Sequence, residues 1–159
     1  MNKVLAEKKT SIAHKVVQKK TIGIVDRIDL PEANLVALPC KIDTGADTSA
    51  IHCDRIRIKE INGKDYLVFK LLDRQHPLYT GKDITTSKYV ERKVKSSFGD
   101  YEYRYQVILT IVLFGHEYPV PFNLSNRKNM KYPVLLGRKF LKNRFVVDVS
   151  KRDLSFKEK

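Results

Sequence analysis

Lys41-Ile42-Asp43-Thr44-Gly45-Ala46-Asp47-Thr48-Ser49-Ala50 sets a carboxylate at the end of an apolar run and follows it at once with turn residues. Taken alone, Asp-Thr-Gly is an ordinary turn, with Asp bonding nearby amides and Gly supplying positive φ. A second stretch, Tyr132-Pro133-Val134-Leu135-Leu136-Gly137-Arg138-Lys139-Phe140-Leu141, separates the readings. It is another apolar strand, running into Gly-Arg and a short helix expected from Arg138 to about Asn143. The two stretches together are far more specific than either half.

Outward from Asp43 the chain reads as β structure. Ile22, Ile24, Val25 and Ile28 suggest a first strand and Val36 to Ile42 a second. Asn62-Gly63 stands between two strand-like runs, the favoured chemistry for a tight hairpin because both residues tolerate positive φ. Asp73 to Ser87 is polar and reads as a long loop. Lys88 to Ser97 leads through Phe98-Gly99-Asp100 into the β-rich run Tyr103 to Phe114, and Gly115-His116-Glu117 turns it back into Tyr118 to Phe122. Pro119 and Pro121 predict an edge strand. Short strands at hairpin spacing argue for an all-β closed barrel with one short C-terminal helix.

With 159 residues the chain suits one compact domain. Residues 1–20 are basic and read as a flexible arm, leaving 21–159 as the domain. No stretch approaches a membrane span, the N-terminus lacks the apolar core of a signal peptide, and two cysteines make no disulfide framework, so a cytoplasmic location is expected. Cys40 and Cys53 read as small core residues. The net charge of +13 attracts polyanions, whether nucleic acid, an acidic membrane surface or an acidic polypeptide.

The pairing of Asp43-Thr44-Gly45-Ala46-Asp47 with Leu135-Leu136-Gly137-Arg138 resembles the retropepsin type of aspartic peptidase. The ending Arg144-Phe145-Val146-Val147-Asp148, and Arg92-Lys93-Val94-Lys95-Ser96-Ser97-Phe98-Gly99 leading to Arg104, narrow the resemblance to the bacterial retropepsin-like family long labelled ATP-dependent zinc proteases. The resemblance covers about Thr21 to Val149. It implies a retropepsin-like acid-protease fold and a homodimer in which each copy contributes one catalytic Asp43. Thr44 would lock the two active-site loops together, and Gly45 would let substrate backbone approach. Asp47 and Arg138 would form a partly buried structural ion pair. Ala46, Asp47, Arg92 and Arg104 are the candidate substrate-binding residues. Ala46 replaces the hydroxyl residue of pepsin-like enzymes, which predicts activity nearer neutral pH. Some members of the family are linked to ligases that add glutamates to a ribosomal protein tail, so an acidic, glutamate-rich polypeptide is the expected substrate class.

The older label finds no residues. His116-Glu117-Tyr118 lacks the second His of a zinc protease, and Gly81-Lys82-Asp83 lacks the spacing of a phosphate loop, so neither metal nor cofactor is expected. Between Asp43 and Gly137 the chain is long, and its candidate cover, roughly Phe69 to Ser97, holds only Gly81. That cover carries Arg74, Lys82, Lys88, Arg92, Lys93 and Lys95, either a cationic rim for an acidic chain or a solvated loop. Two other functions compete: a catalytically silent peptide-binding module, and a nucleic-acid-binding domain using Tyr101, Tyr103 and Tyr105 beside Arg104. Only the positive charge favours nucleic acid as a partner.

Overall fold

The computed structural model describes residues 18–95 and 98–159. Most of the expected basic arm, residues 1–17, lies outside the described residues, and Lys20 opens the first strand. The strands are β1 (Lys20–Ile22), β2 (Val25–Leu30), β3 (Leu35–Ile42), β4 (Ser49–Ile61), β5 (Lys64–Leu71), β6 (Ile84–Thr86), β7 (Tyr89–Lys95), β8 (Tyr101–Leu113), β9 (His116–Ser125), β10 (Val134–Leu136) and β11 (Phe145–Val147). Two single-turn helices, α1 (Arg138–Leu141) and α2 (Leu154–Lys157), stand near the C-terminus where one was expected.

Hydrogen bonding runs β10-β3-β2-β8-β9-β4. Because β10 pairs β3 in parallel and β4 antiparallel, it closes these six strands into a barrel. Inward positions alternate as a closed barrel requires. In β8, Val107, Leu109, Ile111 and Leu113 are at most 3% exposed, whereas Ile108 between them is 64% exposed. They meet Ile28, Leu38, Ile51, Phe69, Phe122 and Leu136 in one core.

Two hairpins leave the barrel. β4 continues past Cys53 to pair with β5 across Asn62-Gly63, whose φ values of 53° and 76° are those of the expected tight turn. β7 pairs with the exposed first half of β8, from Tyr89↔Val107 to Lys95↔Tyr101. The expected cover, Phe69 to Ser97, therefore divides. Phe69 is 1% exposed in the core, Ile84–Thr86 forms a strand inside the expected loop, and β7 belongs to a hairpin completed beyond Ser97. Lys82 is spent on structure, donating from Nζ to the Glu32 carbonyl at 2.9 Å.

β9 is an edge strand over half its length only. Pro119 and Pro121 face Thr110 and Ile108 of β8, while β4 covers β9 from Phe122 onward. The Thr110 N–H turns away from β9 to the Glu32 carboxylate at 3.2 Å, so no ladder hydrogen bond is missing opposite Pro119. The prolines occupy the half without a second neighbour.

A buried carboxylate ties the C-terminus to the barrel. Asp26, 1% exposed, accepts the N–H groups of Ser155 (2.9 Å) and Phe156 (3.2 Å) as well as that of Arg27. Ser155 Oγ then accepts Phe114 N at 2.8 Å. No described helix is long and apolar enough to cross a membrane. Cys40 and Cys53 are buried free thiols; burial raises the pKa of both, Cys53 to about 12.

Two outcomes follow from this packing. Asp26→Ala strands one buried and two part-buried donors and should lower unfolding stability by on the order of 3 kcal/mol in a denaturant titration, Asp26→Asn by less. Ellman's reagent should label neither thiol of the native protein and both after unfolding in guanidinium.

Candidate active site

The Asp43 turn wraps around the end of β10. Asp43 N donates to Leu136 O (2.9 Å), Arg138 N to Ala46 O (2.8 Å) and Lys139 N to Asp47 O (3.0 Å). Gly137 N reaches the buried Ser49 Oγ at 3.1 Å. A Cβ at Gly137 would lie 2.8 Å from Ala46 O and 2.9 Å from the Thr48 carbonyl carbon, both main-chain atoms that cannot swing aside. Glycine is required there because two main-chain segments meet without room for a side chain.

Within the turn, Gly45 N donates to Asp43 Oδ1 at 3.0 Å, and Asp43 Oδ2 has no hydrogen-bond partner among the described residues. Gly45 does not take positive φ, contrary to the plain turn reading; its role is to bring an unhindered N–H onto the carboxylate. Asp43 is half-buried, while Thr44 and Gly45 are exposed. Ala46 is half-buried and engaged through its carbonyl, so its main chain braces the turn.

Arg138 Nη2 lies 3.8 Å from Asp47 Oδ1, and Lys139 Nζ is nearer the same carboxylate at 3.3 Å. The Arg138 and Asp47 side chains are 53% and 61% exposed, so this is a surface pair and not the partly buried one expected. Such a pair contributes at most about 1 kcal/mol. Arg138 braces the turn by another route, from Nη1 to Thr44 O at 3.1 Å.

Beside this turn a groove of about 840 Å³ is lined by Thr44, Asp47, Arg138, Leu141, Phe145 and Val147. A second groove, about 540 Å³, runs between β4, the outer part of β8 in the β7–β8 hairpin and the end of β9; Ala50, Ile56, Arg104 and Asn123 line it. Arg104 thus faces a groove that begins at the strand leaving the Asp43 turn, with Glu102 holding it from the side at 2.8 Å. Arg92 stands directly across the hairpin from Arg104.

Sequence reasoning missed His52, Asp73 and Arg127. The His52 ring, 3% exposed, has Nε2 at 2.7 Å from Asp73 Oδ2, and its Nδ1 accepts Arg127 N at 2.8 Å. Since Nδ1 accepts, Nε2 carries the proton and donates to Asp73. The Gln75 N–H, followed by His52, holds the Asp73 carboxyl below its ordinary value. Burial lowers the Arg127 pKa, and the Asp43 charge opposes that shift. Arg127 is therefore an electrostatic neighbour of the candidate catalytic acid. Among the described residues, no group of three or more His, Cys, Asp and Glu side chains is placed to hold a metal ion. Cys53 Sγ instead faces the carbonyls of Lys70 and Arg55.

Residues 21–158 match the family described as RimB-like, retropepsin-like aspartic endopeptidase RimB. Relatives named probable alpha-L-glutamate ligase, from Shewanella halifaxensis and Shewanella pealeana, are each 35% identical over 136 residues, 83% of this chain. The match spans 29% of the length of each. The crystal structure of Lpg0085, a protein of unknown function from Legionella pneumophila, is 29% identical and superposes with a TM-score of 0.67 over 87% of this chain and 99% of that one.

Gly137→Ala should destabilise the fold by about 3 kcal/mol, read as a lower denaturant midpoint. An unchanged midpoint would show that the turn does not close on β10 as described.

Proposed function

The chain belongs to the retropepsin-like aspartic endopeptidase family, and from that premise we propose that it hydrolyses peptide bonds with two Asp43 carboxylates brought together in a homodimer. The observation that carries this reading is the state of Asp43: one oxygen is fixed by Gly45 N–H and the other is open, on a turn braced by β10 and α1. One chain supplies one such acid. A two-fold axis supplies the second at the least structural cost.

Two carboxylates a few ångströms apart share one proton, because ionising both sets like charges together. The ionised one takes a proton from water as its oxygen attacks the carbonyl carbon, while the protonated one gives its proton to the carbonyl oxygen. Collapse of the tetrahedral adduct then breaks the C–N bond, with a proton delivered to the leaving nitrogen. Thr44 supports the dimer reading: its carbonyl is held by Arg138 and its side chain is exposed beside the groove lined by Leu141, Phe145 and Val147. Val146 and Val149, 53% and 72% exposed, add apolar surface for a second copy to cover.

The proposed substrate is an acidic, glutamate-rich polypeptide. The net charge of +13 and Arg104 at the groove favour an anionic chain, and relatives matched over 29% of their length are named probable alpha-L-glutamate ligase. A nucleic-acid-binding reading has one observation in its favour: Tyr101 and Tyr103 are exposed, with Lys93 Nζ 4.7 Å over the Tyr101 ring. Retention of single-stranded nucleic acid at high salt would promote that reading.

Wild type should sediment as a dimer and cleave polyglutamate. Asp43→Asn should remain dimeric and lose at least about 10³-fold in kcat. Equal cleavage by the two proteins would remove Asp43 from the chemistry.

A further inference from the structure

Beyond Cys53 the β4–β5 hairpin leaves the barrel as a sheet whose two faces differ in chemistry. Residues directly opposite each other share a face, and successive residues alternate between faces. One face holds Ile56 opposite Phe69 and Ile58 opposite Leu67; it packs on the core, with Phe69 and Leu67 at most 1% exposed. The other holds Arg55 opposite Lys70, Arg57 opposite Val68, Lys59 opposite Tyr66 and Ile61 opposite Lys64. From Arg55 to Lys70, every cation lies on this second face, and both acids, Glu60 and Asp65, stand opposite each other on the reverse. Arg57 Nη2 and Lys70 Nζ share one carboxylate, that of Asp83, at 3.2 and 3.3 Å. Arg55 opposite Lys70 is a like-charge cross-strand pair, which costs stability. A sheet that needed only a solvated face would interleave the signs. The basic face runs on into a cleft of about 240 Å³ lined by Arg55, Lys70, Arg74 and Lys128. Asp54 and Asp73 line it too, but both Asp73 oxygens are committed, accepting from His52 Nε2 and Gln75 N.

We propose that this face docks the phosphodiester backbone of a nucleic-acid duplex. The surface is separate from the Tyr101–Tyr103 hairpin, and the inference goes beyond the proposed reaction without resting on it. Arg55, Arg57 and Lys59 follow one another at about 6.8 Å along the strand, a stride close to that of successive phosphates in a nucleic-acid strand. Three of the five cations are lysines, which protein–protein interfaces disfavour and phosphate contacts use freely. Tyr66 is half-buried with Lys64 Nζ 5.9 Å over its ring, so the face offers no open ring on which an unpaired base could stack. Contact is therefore with backbone and not with bases. Ile56 lines the groove that holds Arg104 on the reverse of the sheet, so a docked duplex leaves that groove open.

The test is fluorescence anisotropy of labelled RNA and DNA duplexes of about 20 base pairs, titrated with the full chain between about 0.05 and 0.2 M salt. Wild type should bind both duplexes with little sequence preference, and log Kd should rise linearly with log salt. A triple variant, Arg57→Gln, Lys59→Gln and Lys64→Gln, should bind about 10- to 100-fold more weakly and lower the slope by about one for each cation removed. A control triple, Lys151→Gln, Arg152→Gln and Lys157→Gln, removes the same charge from exposed positions near the C-terminus and should bind nearly as wild type does. Lys59→Gln and Lys64→Gln singly, each expected to lower the slope by about one, read the same question should the first triple fold poorly. Equal losses in the two triples overturn the proposal, since net charge alone would then account for binding. Tighter binding of polyglutamate than of either duplex overturns it as well, as does a preference for single strands that Tyr101→Ala and Tyr103→Ala abolish.

Discussion

The close passage of Gly137 beneath the Asp43 turn is the constraint on which the rest of the site depends. β10 enters between β3 and β4 and closes the barrel, and the residue that follows it, Gly137, must then pass within contact distance of the Ala46 and Thr48 main chain. Only an absent side chain allows that approach. Once it is made, Leu136 O, Arg138 N and Lys139 N become partners of the turn, and a loop that would otherwise wander is hydrogen-bonded on its inner side. Barrel closure and placement of the acid are therefore one event. The exposed ion pairs of Asp47 with Arg138 and Lys139 add little to it.

Much of this was legible in the residues. Asp43-Thr44-Gly45 and Gly137-Arg138 announced the turn and the strand that braces it, because a close backbone approach and a tight turn each demand particular residues. Asn62-Gly63 announced its hairpin for the same reason. The boundaries of the hairpin beside the groove were not legible, since exposed strand and polar loop share a composition when neither face is buried; Ile84–Thr86 and the first half of β8 are of this kind. Pro119 and Pro121 correctly signalled an uncovered backbone, but local chemistry does not show that β4 covers the remainder of the same strand.

The His52, Asp73 and Arg127 set was invisible for a different reason. His52 bonds Asp73 across 21 residues and Arg127 across 75, so no spacing rule connects them. A histidine within an apolar strand and an arginine in a polar turn each look ordinary alone. Their joint effect appears only when the barrel brings β4 beside the β9–β10 connection, which places a neutral imidazole as acceptor for the Arg127 main chain. The positive charge of the molecule then divides. Part is structural, as at Lys82; part lines the groove, as at Arg104; and at Arg127 the Asp43 charge opposes the effect of burial.

In the proposed reaction one active site needs Asp43 from two chains. The most direct measurement is subunit mixing: equal amounts of wild type and Asp43→Asn protein are allowed to exchange, and total activity at a fixed total protein concentration is followed. With random pairing, only about one quarter of the dimers carry both carboxylates, so total activity should fall to about one quarter of that of an all-wild-type sample. Activity at about one half, as independent sites would give, contradicts the shared dyad.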